Sequence, residues 1–483
     1  IGGKAHTITQ QGVLKPGLIA PVVPPAIVSG YYNLPIPTEN GPVTYTVTKL
    51  PPGLAINNAD GIISGKPTTP GTYHVTVKAS NAAGVSNLLS FDIVVTALPT
   101  GVIGAFQGFI ARDPEINANL GSRLELTTSA TGTVTGKIIT GATAQPLTGT
   151  LMADANDSEN PLCLISIPRK DSTPLRFEVT LDHDTDTLAG TLNDGTGNSA
   201  EINGWRRIWN ATTKKATAYK AYYTFSLEQQ EPDDALPQGY GFGSFTVAET
   251  TGLLTVNGKL ADGSTFTSGA FVGRQGQVLV YQSLYANKGS FGGVLHIAAS
   301  GVTPAENAIN GQPTHFKPAP TPGSKDTIFQ AGFGPVPLLA EGAPYTPPAA
   351  GKLFMNLVFF QNNAEAQFTR GGLDDEGKEF NMLIDMEYAP HSGTTVAVFL
   401  VANPNKVTMP TVAKSTGAFG GEFTILGATT AQNRKVAYQG LVVRHISGLV
   451  GYGFFLLPKA PVPPLTLTTS PKLSGRVVLE GTY

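Results

Sequence analysis

Between Leu50 and Val77 the sequence LPPGLAINNADGIISGKPTTPGTYHVTV places a turn signal every few residues. No segment in it is long enough for a helix, so short extended pieces are the only regular structure open to it. Pro51 and Pro52 fix φ and bring the chain in extended, and Gly53 releases it into a turn. Leu54, Ile56, Ile62 and Ile63 stand between the turn residues Asn57, Asn58, Asp60 and Gly61, a spacing that predicts a tight β-hairpin. Pro67, Pro70 and Gly71 then open a strand from Thr72 to Ala79. Tyr73, Val75, Val77 and Ala79 lie on one face of it and His74, Thr76 and Lys78 on the other, which predicts one buried face and one wet face.

The order LPPGL, then GIISGKPTTPGTYHVTVKASNAAG, resembles the putative-Ig domain that recurs in large secreted and surface proteins of bacteria, and the likeness runs from about Pro24 to Thr96. The resemblance implies a β-sandwich spacer or adhesive module. In that family the motif residues serve turns and core, so it implies no catalytic residue.

A chain of 483 residues is too long for one core and suggests about three domains. The 56 glycines and 37 prolines, with only 14% charged residues, favour many short strands separated by turns. A net charge of −2 offers no basic footprint for nucleic acid and no polybasic anchor. No run reaches the roughly 18 apolar residues of a spanning helix. A single cysteine, Cys163, excludes an intramolecular disulfide framework and reads as a buried thiol in the alternating segment LCLISI. The sequence starts at Ile1 without an initiator methionine, a charged n-region or an apolar h-region, as expected of a mature protein after leader removal, and secretion is inferred from that.

Residues 1–22 carry no capping signal and no helical period, and they read as an extended arm in which Val13, Leu14, Leu18, Ile19 and Val22 are the contact residues. Burying five such side chains contributes about 10 kcal/mol at roughly 1.5 to 3 each. Ordering twenty-odd residues costs roughly 1 to 2 kcal/mol apiece in backbone entropy. The arm therefore needs strand hydrogen bonds to a waiting edge. Two edges qualify, one on its own Ig-like domain and one on a neighbouring subunit, and the second would build a fibre by strand addition.

Beyond the linker Ala97-Leu98-Pro99-Thr100-Gly101 the chain repeats weakly. A Thr-Gly turn followed by a short alternating strand occurs at Thr131–Ile138, Thr251–Leu260 and Thr416–Phe423. Hairpin signals at 8 to 12 residue spacing around these copies predict antiparallel sandwiches or barrels. The expected fold class is all-β, with the arm at 1–22, an Ig-like β-sandwich at 23–97, a barrel-like unit at 98–320 whose two related halves meet near Asn210, and a second barrel-like unit at 321–483. The Pro-rich segment QPTHFKPAPTPG, residues 312–323, sets the last boundary.

Several constellations invite chemistry. Asp182, Asp184 and Asp186 alternate as oxygen ligands for Ca²⁺ would, yet Thr187 stands where an EF-type loop needs Gly and Asn193 where it needs a bidentate Glu. A solvated hairpin explains the three equally well. The acidic run Asp154, Asn156, Asp157 and Glu159 is a second such candidate. Trp205 and Trp209, with Arg206, would share a strand face and either stack a sugar or cap a core. The seven histidines are scattered without metal-ligand spacing, and no G-x-S-x-G elbow is present. No catalytic, cofactor or metal residue is assigned.

The expected function is that of a non-enzymatic, secreted structural protein, a subunit of an extracellular fibre or sheath that self-associates into a homopolymer through the arm. The alternatives are a glycan-binding surface adhesin using Trp205, Tyr240 or Tyr281, and an extracellular hydrolase on a β scaffold.

Overall fold

In the computed structural model the chain is described for residues 12–41, 43–154, 160–170, 172–389, 394–399, 401–445 and 448–482. Nearly all regular structure is strand, as the sequence predicts. Among the described residues the one α-helix, Pro114–Asn117, has four residues.

The N-terminal unit is a sandwich of two sheets. Tyr32–Pro35, Ile62–Gly65 and Leu54–Asn57 make one. The other has Leu89–Thr96 and Gly71–Asn81 at its centre, with Ala26–Ile27 at one edge and Thr44–Thr48 at the other. Burial follows the predicted alternation. Val75, Val77 and Ala79 are fully buried, while His74 and Lys78 are exposed. Gly53 has φ +91°, and a Cβ there would lie 2.1 Å from the carbonyl oxygen of Lys66, so only glycine fits the turn.

Three barrel-type sheets follow. The first is a closed eight-stranded meander from Gly104–Ile110 to Ser199–Arg206, in which each strand pairs with the next and the last pairs back onto the first. Leu126, Leu147, Cys163, Phe177 and Leu188 fill its interior.

A ten-stranded sheet forms the second. Its path runs from Thr265–Phe271 through Tyr222–Glu228 to Gly289–Ala298, to which Gln277–Leu284 also pairs. Between Thr265–Phe271 and Gln277–Leu284 no backbone ladder forms, and side chains bridge the gap. The Ser268 hydroxyl accepts from Tyr281 N (3.1 Å) and donates to Leu279 O (3.3 Å), and Thr267 N donates to Gln282 Oε1 (3.2 Å).

The third sheet has eight strands, with Thr395–Val398 and Thr408–Ala413 at the ends of its path and Lys472–Gly481 against Ala364–Arg370 in the middle.

The Thr-Gly repeats mark equivalent places in the three sheets. Gly132, Gly252 and Gly417 have φ of +68°, +65° and +80°, and their carbonyls accept the N–H of Leu151, Val272 and Val442 respectively. The repeat is therefore one barrel-building turn used three times.

Two of the expected boundaries shift. The predicted halves of 98–320 are separate sheets, and Asn210 lies in the connection between them. The break expected at 320/321 falls inside the second sheet, because Leu339–Pro344 pairs with Tyr222–Glu228. The Pro-rich segment 312–323 is no linker. It contains the strand Thr314–Lys317, which pairs with Ser290–Gly292 and buries His315 and Lys317. Its prolines punctuate a strand and not a domain.

The units dock mainly through side chains, with a few backbone hydrogen bonds between them. Ile27 of the sandwich joins the core of the first barrel, and Tyr31 N donates to Leu151 O (2.8 Å). At the next seam the buried Gln107 amide donates to Phe271 O (2.7 Å) and accepts from Phe271 N (3.3 Å). The indoles of Trp205 and Trp209 donate to Phe271 O and Val272 O. Gln107→Leu would leave Phe271 N–H unpaired in a buried seam, a cost of about 2 kcal/mol. Since Trp205 and Trp209 are the chain's two tryptophans and both lie at this seam, indole fluorescence in a urea titration should show the variant unfolding at lower denaturant.

Candidate functional site

The arm is placed by its backbone more than by its apolar side chains. Gly17–Leu18 pairs antiparallel with Thr38–Glu39 of the chain's own sandwich. Asn87 clamps Leu18 from both sides, its Oδ1 accepting from Leu18 N (3.1 Å) and its Nδ2 donating to Leu18 O (3.4 Å). Asn81 Nδ2 donates to Leu14 O (2.7 Å) and Asn40 Nδ2 to Lys15 O (2.8 Å). Of the five apolar contact residues, Leu18 belongs to the sandwich core at 7% exposure, so it serves its own domain and not a neighbour. Val13 (61%), Leu14 (67%), Ile19 (48%) and Val22 (94%) face solvent. Asn40, Asn81 and Asn87 do not stand out in the sequence. Their one signal is that each sits at a polar turn, where a side-chain amide can reach a passing backbone.

The three alternating aspartates diverge. Asp182 accepts from Asp184 N (2.9 Å) and Thr185 N (3.0 Å), closing its own turn. Asp186, 4% exposed, pairs with Arg206 (2.5 Å) and, across the seam, with Arg274 of the second barrel (3.3 Å). Asp184 is exposed beside His183 (3.4 Å), so the three carboxylates serve a turn, the surface and a seam, and they do not converge on a cation. Of the second acidic run, residues 155–159 lie outside the described residues.

Trp205 is 2% exposed and Tyr281 7%, and the Tyr240 ring packs at a tilt against Tyr452 (4.7 Å) with the Arg476 guanidinium over it (4.8 Å). These three aromatics hold units together.

A groove of about 860 Å³ separates the first barrel from the second. On its first-barrel side Glu125 pairs with Arg123 (2.8 Å) and Lys137 (3.1 Å). Burial pushes the Glu125 carboxyl up, but the two cations overcome it and hold the group below its ordinary value.

The second barrel buries a polar chain that no sequence motif announces. The Tyr285 hydroxyl donates to the Asp262 carboxylate, which also accepts from Ser264 N (3.0 Å) and Ser264 Oγ (3.0 Å). His315 Nε2 lies 2.7 Å from the same hydroxyl. Tyr285 has spent its one proton on Asp262, so Nε2 carries the hydrogen and donates. Lys317 lies over the Tyr285 ring (4.9 Å) and pairs with Asp326 (2.8 Å). Burial pulls the His315 pKa down to about 4, with Arg112 and Lys317 adding to the effect and Asp262 opposing it. Arg112 itself is lowered by burial to about 10, and it donates to Thr314 Oγ1 (2.5 Å), Thr314 O (2.9 Å) and Ser290 Oγ (2.7 Å) across the seam.

Residues 15–96 match the family model described as Putative Ig domain. This segment is an Ig-like domain. Its match covers the sandwich and the Gly17–Leu18 strand of the arm, so that strand is part of the Ig-like domain. Two solved structures from Bacteroides fragilis are similar over a short stretch. One, a putative alpha-galactosidase, is 33% identical with a TM-score of 0.16, the match covering 18% of this chain and 19% of that one. The other, a putative alpha-galactosidase/melibiase, is 30% identical with a TM-score of 0.16 and 18% coverage of each chain. The chain spans less than a fifth of either structure, and the similarity carries no argument about fold or activity. No curated protein matches the chain. The Ig-like domain is compatible with a surface or secreted protein, and no helix among the described residues is long and apolar enough to cross a membrane.

Two outcomes follow from the buried groups. Between pH 6.5 and about 4 the unfolded chain takes up a proton at His315 that the native chain refuses, so stability falls as pH drops through that window and levels off below it. Thermal melts across the window should show a shallower slope for His315→Phe than for the parent. Burial pushes the Cys163 thiol up to about 12, so iodoacetamide at neutral pH should leave the native chain unlabelled and modify it only after denaturation.

Proposed function

We propose that this chain is a secreted or cell-surface structural protein that works by cohesion and not by turning over a substrate. The observation that carries the reading is the way successive units are joined. Gln107, Arg112, Asp186 and Trp205 fasten the first barrel to the second. At the other end of the second barrel, Arg476 donates to Gln238 O (2.8 Å) and pairs with Glu228 (3.1 Å). Buried, directional contacts of this kind fix how one unit sits on the next.

The finer part of the proposal is assembly into a fibre or sheath through the arm. Val13, Leu14, Ile19 and Val22 supply exposed apolar surface beside the hairpin that ends in Val85, itself 48% exposed. In this reading the strand Gly17–Leu18 anchors the arm to its own Ig-like domain and the four exposed residues meet the next subunit. Each side chain fully buried there contributes up to roughly 1.5 to 3 kcal/mol. Trp205 and Tyr281 are buried, and half-buried Tyr240 already packs against Tyr452 and Arg476, so the geometry does not favour the adhesin reading.

Sedimentation velocity and negative-stain electron microscopy of the full chain test assembly. The parent should form concentration-dependent polymers, and Val13→Asp combined with Leu14→Asp should return it to monomer with an unchanged melting temperature. Monomers at every concentration, or polymers indifferent to the double substitution, would overturn it.

A further inference from the structure

The first barrel is closed around its sides, but one end is not level. A depression of about 550 Å³ opens there, floored by Ile138, Ile167, Leu175 and Leu192 from inward-facing strand positions. That volume falls within the roughly 300 to 1,000 Å³ of small-molecule sites, and barrel mouths are a common place for them. One wall is the helix Pro114–Asn117, and it is preformed. Asp113 caps it, accepting from Glu115 N (2.8 Å) and Ile116 N (2.9 Å). The buried Asn117 accepts from Asp113 N (3.0 Å) and donates to Ala111 O (2.6 Å), tying the helix to the end of the first strand.

Arg169 stands on the rim. Its Nε donates to Thr173 O (2.8 Å), Nη2 to Thr173 Oγ1 (3.3 Å) and Nη1 to Glu115 O (3.3 Å). A guanidinium has five N–H donors, so these contacts leave one unspent on each terminal nitrogen. All three partners are neutral oxygens, so the cation is held in place without being neutralised. Among the described residues Glu115 is the one acid on the rim, and it is exposed and screened by solvent. An apolar floor beneath a fixed guanidinium that pairs with no carboxylate among the described residues suits a molecule with an apolar body and a single carboxylate, which that group can receive in a charge-assisted pair.

We propose that the mouth of the first barrel binds an apolar carboxylate of the medium-chain fatty-acid class, its tail on Ile138, Ile167, Leu175 and Leu192 and its head on Arg169. The site is independent of assembly, since its residues are far in sequence from the arm and its lining includes none of the four exposed arm residues.

Isothermal titration of the full chain with decanoate, and in parallel with decanol, tests it. Decanoate should bind saturably with one site per chain, and decanol should bind at least tenfold more weakly. Arg169→Ala should weaken decanoate at least tenfold, with Arg169→Lys, which keeps the charge and loses the fork, in between. Thr143→Trp, an exposed rim position, should abolish binding by filling the mouth while the melting temperature stays unchanged. Absence of saturable binding, equal binding of decanol and decanoate, or binding unaffected by Arg169→Ala and Thr143→Trp would overturn the proposal.

Discussion

Every strand at the margin of a sheet carries backbone N–H and C=O groups that must find partners, and this chain meets that requirement by bending its sheets round on themselves. The first barrel does so completely, Gly104–Ile110 completing the ladder with Ser199–Arg206. The second lacks one ladder and substitutes the Ser268 hydroxyl and the Gln282 amide for the missing rungs. A sheet whose edges are spent on itself has none left for its neighbour. Successive barrels therefore meet mainly through side chains, with one backbone bridge from Thr327 and Ile328 of the second to Lys472 of the third.

That constraint explains the chemistry of the seams. Where two convex barrel walls touch, an apolar contact alone would let one roll on the other. The buried amide of Gln107, the Arg112 fork into Ser290 and Thr314, and Arg476 reaching Gln238 and Glu228 are directional, and they hold only in one relative orientation. Asp186 shows the economy of the arrangement. Its carboxylate takes Arg206 from its own barrel and Arg274 from the next, so the same buried charge orders a turn and a junction.

What the sequence disclosed and what it hid divide along the range of the interaction. Alternation in Thr72–Ala79 and the Gly-marked hairpins were legible because strand period and turn chemistry are local, and Val75, Val77 and Ala79 are buried accordingly. The Thr-Gly repeats were legible as repetition, though what recurs is one turn of a whole barrel and not half of one. The segment 312–323 misled because Pro and Gly mark the ends of strands and of domains alike. Only its pairing with Ser290–Gly292, more than twenty residues away, distinguishes the two. The polar chain Asp262, Tyr285 and His315, the seam residues and the barrel mouth draw their members from strands and turns far apart in sequence, and no spacing in a one-dimensional pattern encodes them. Within the arm, Leu18 looked like its four apolar companions. The amide of Asn87, sixty-nine positions away, is what sets it apart.

In the Ig-like domain, Ala26–Ile27 lies parallel to Leu89–Thr96, so an early strand and the last strand of the domain run side by side in the same direction. Tension that drew the two ends of this domain apart would slide these neighbours past each other lengthwise. Their rungs would then bear the load together instead of opening one after another like a zip, and this junction, small as it is, is where such a protein would resist being stretched.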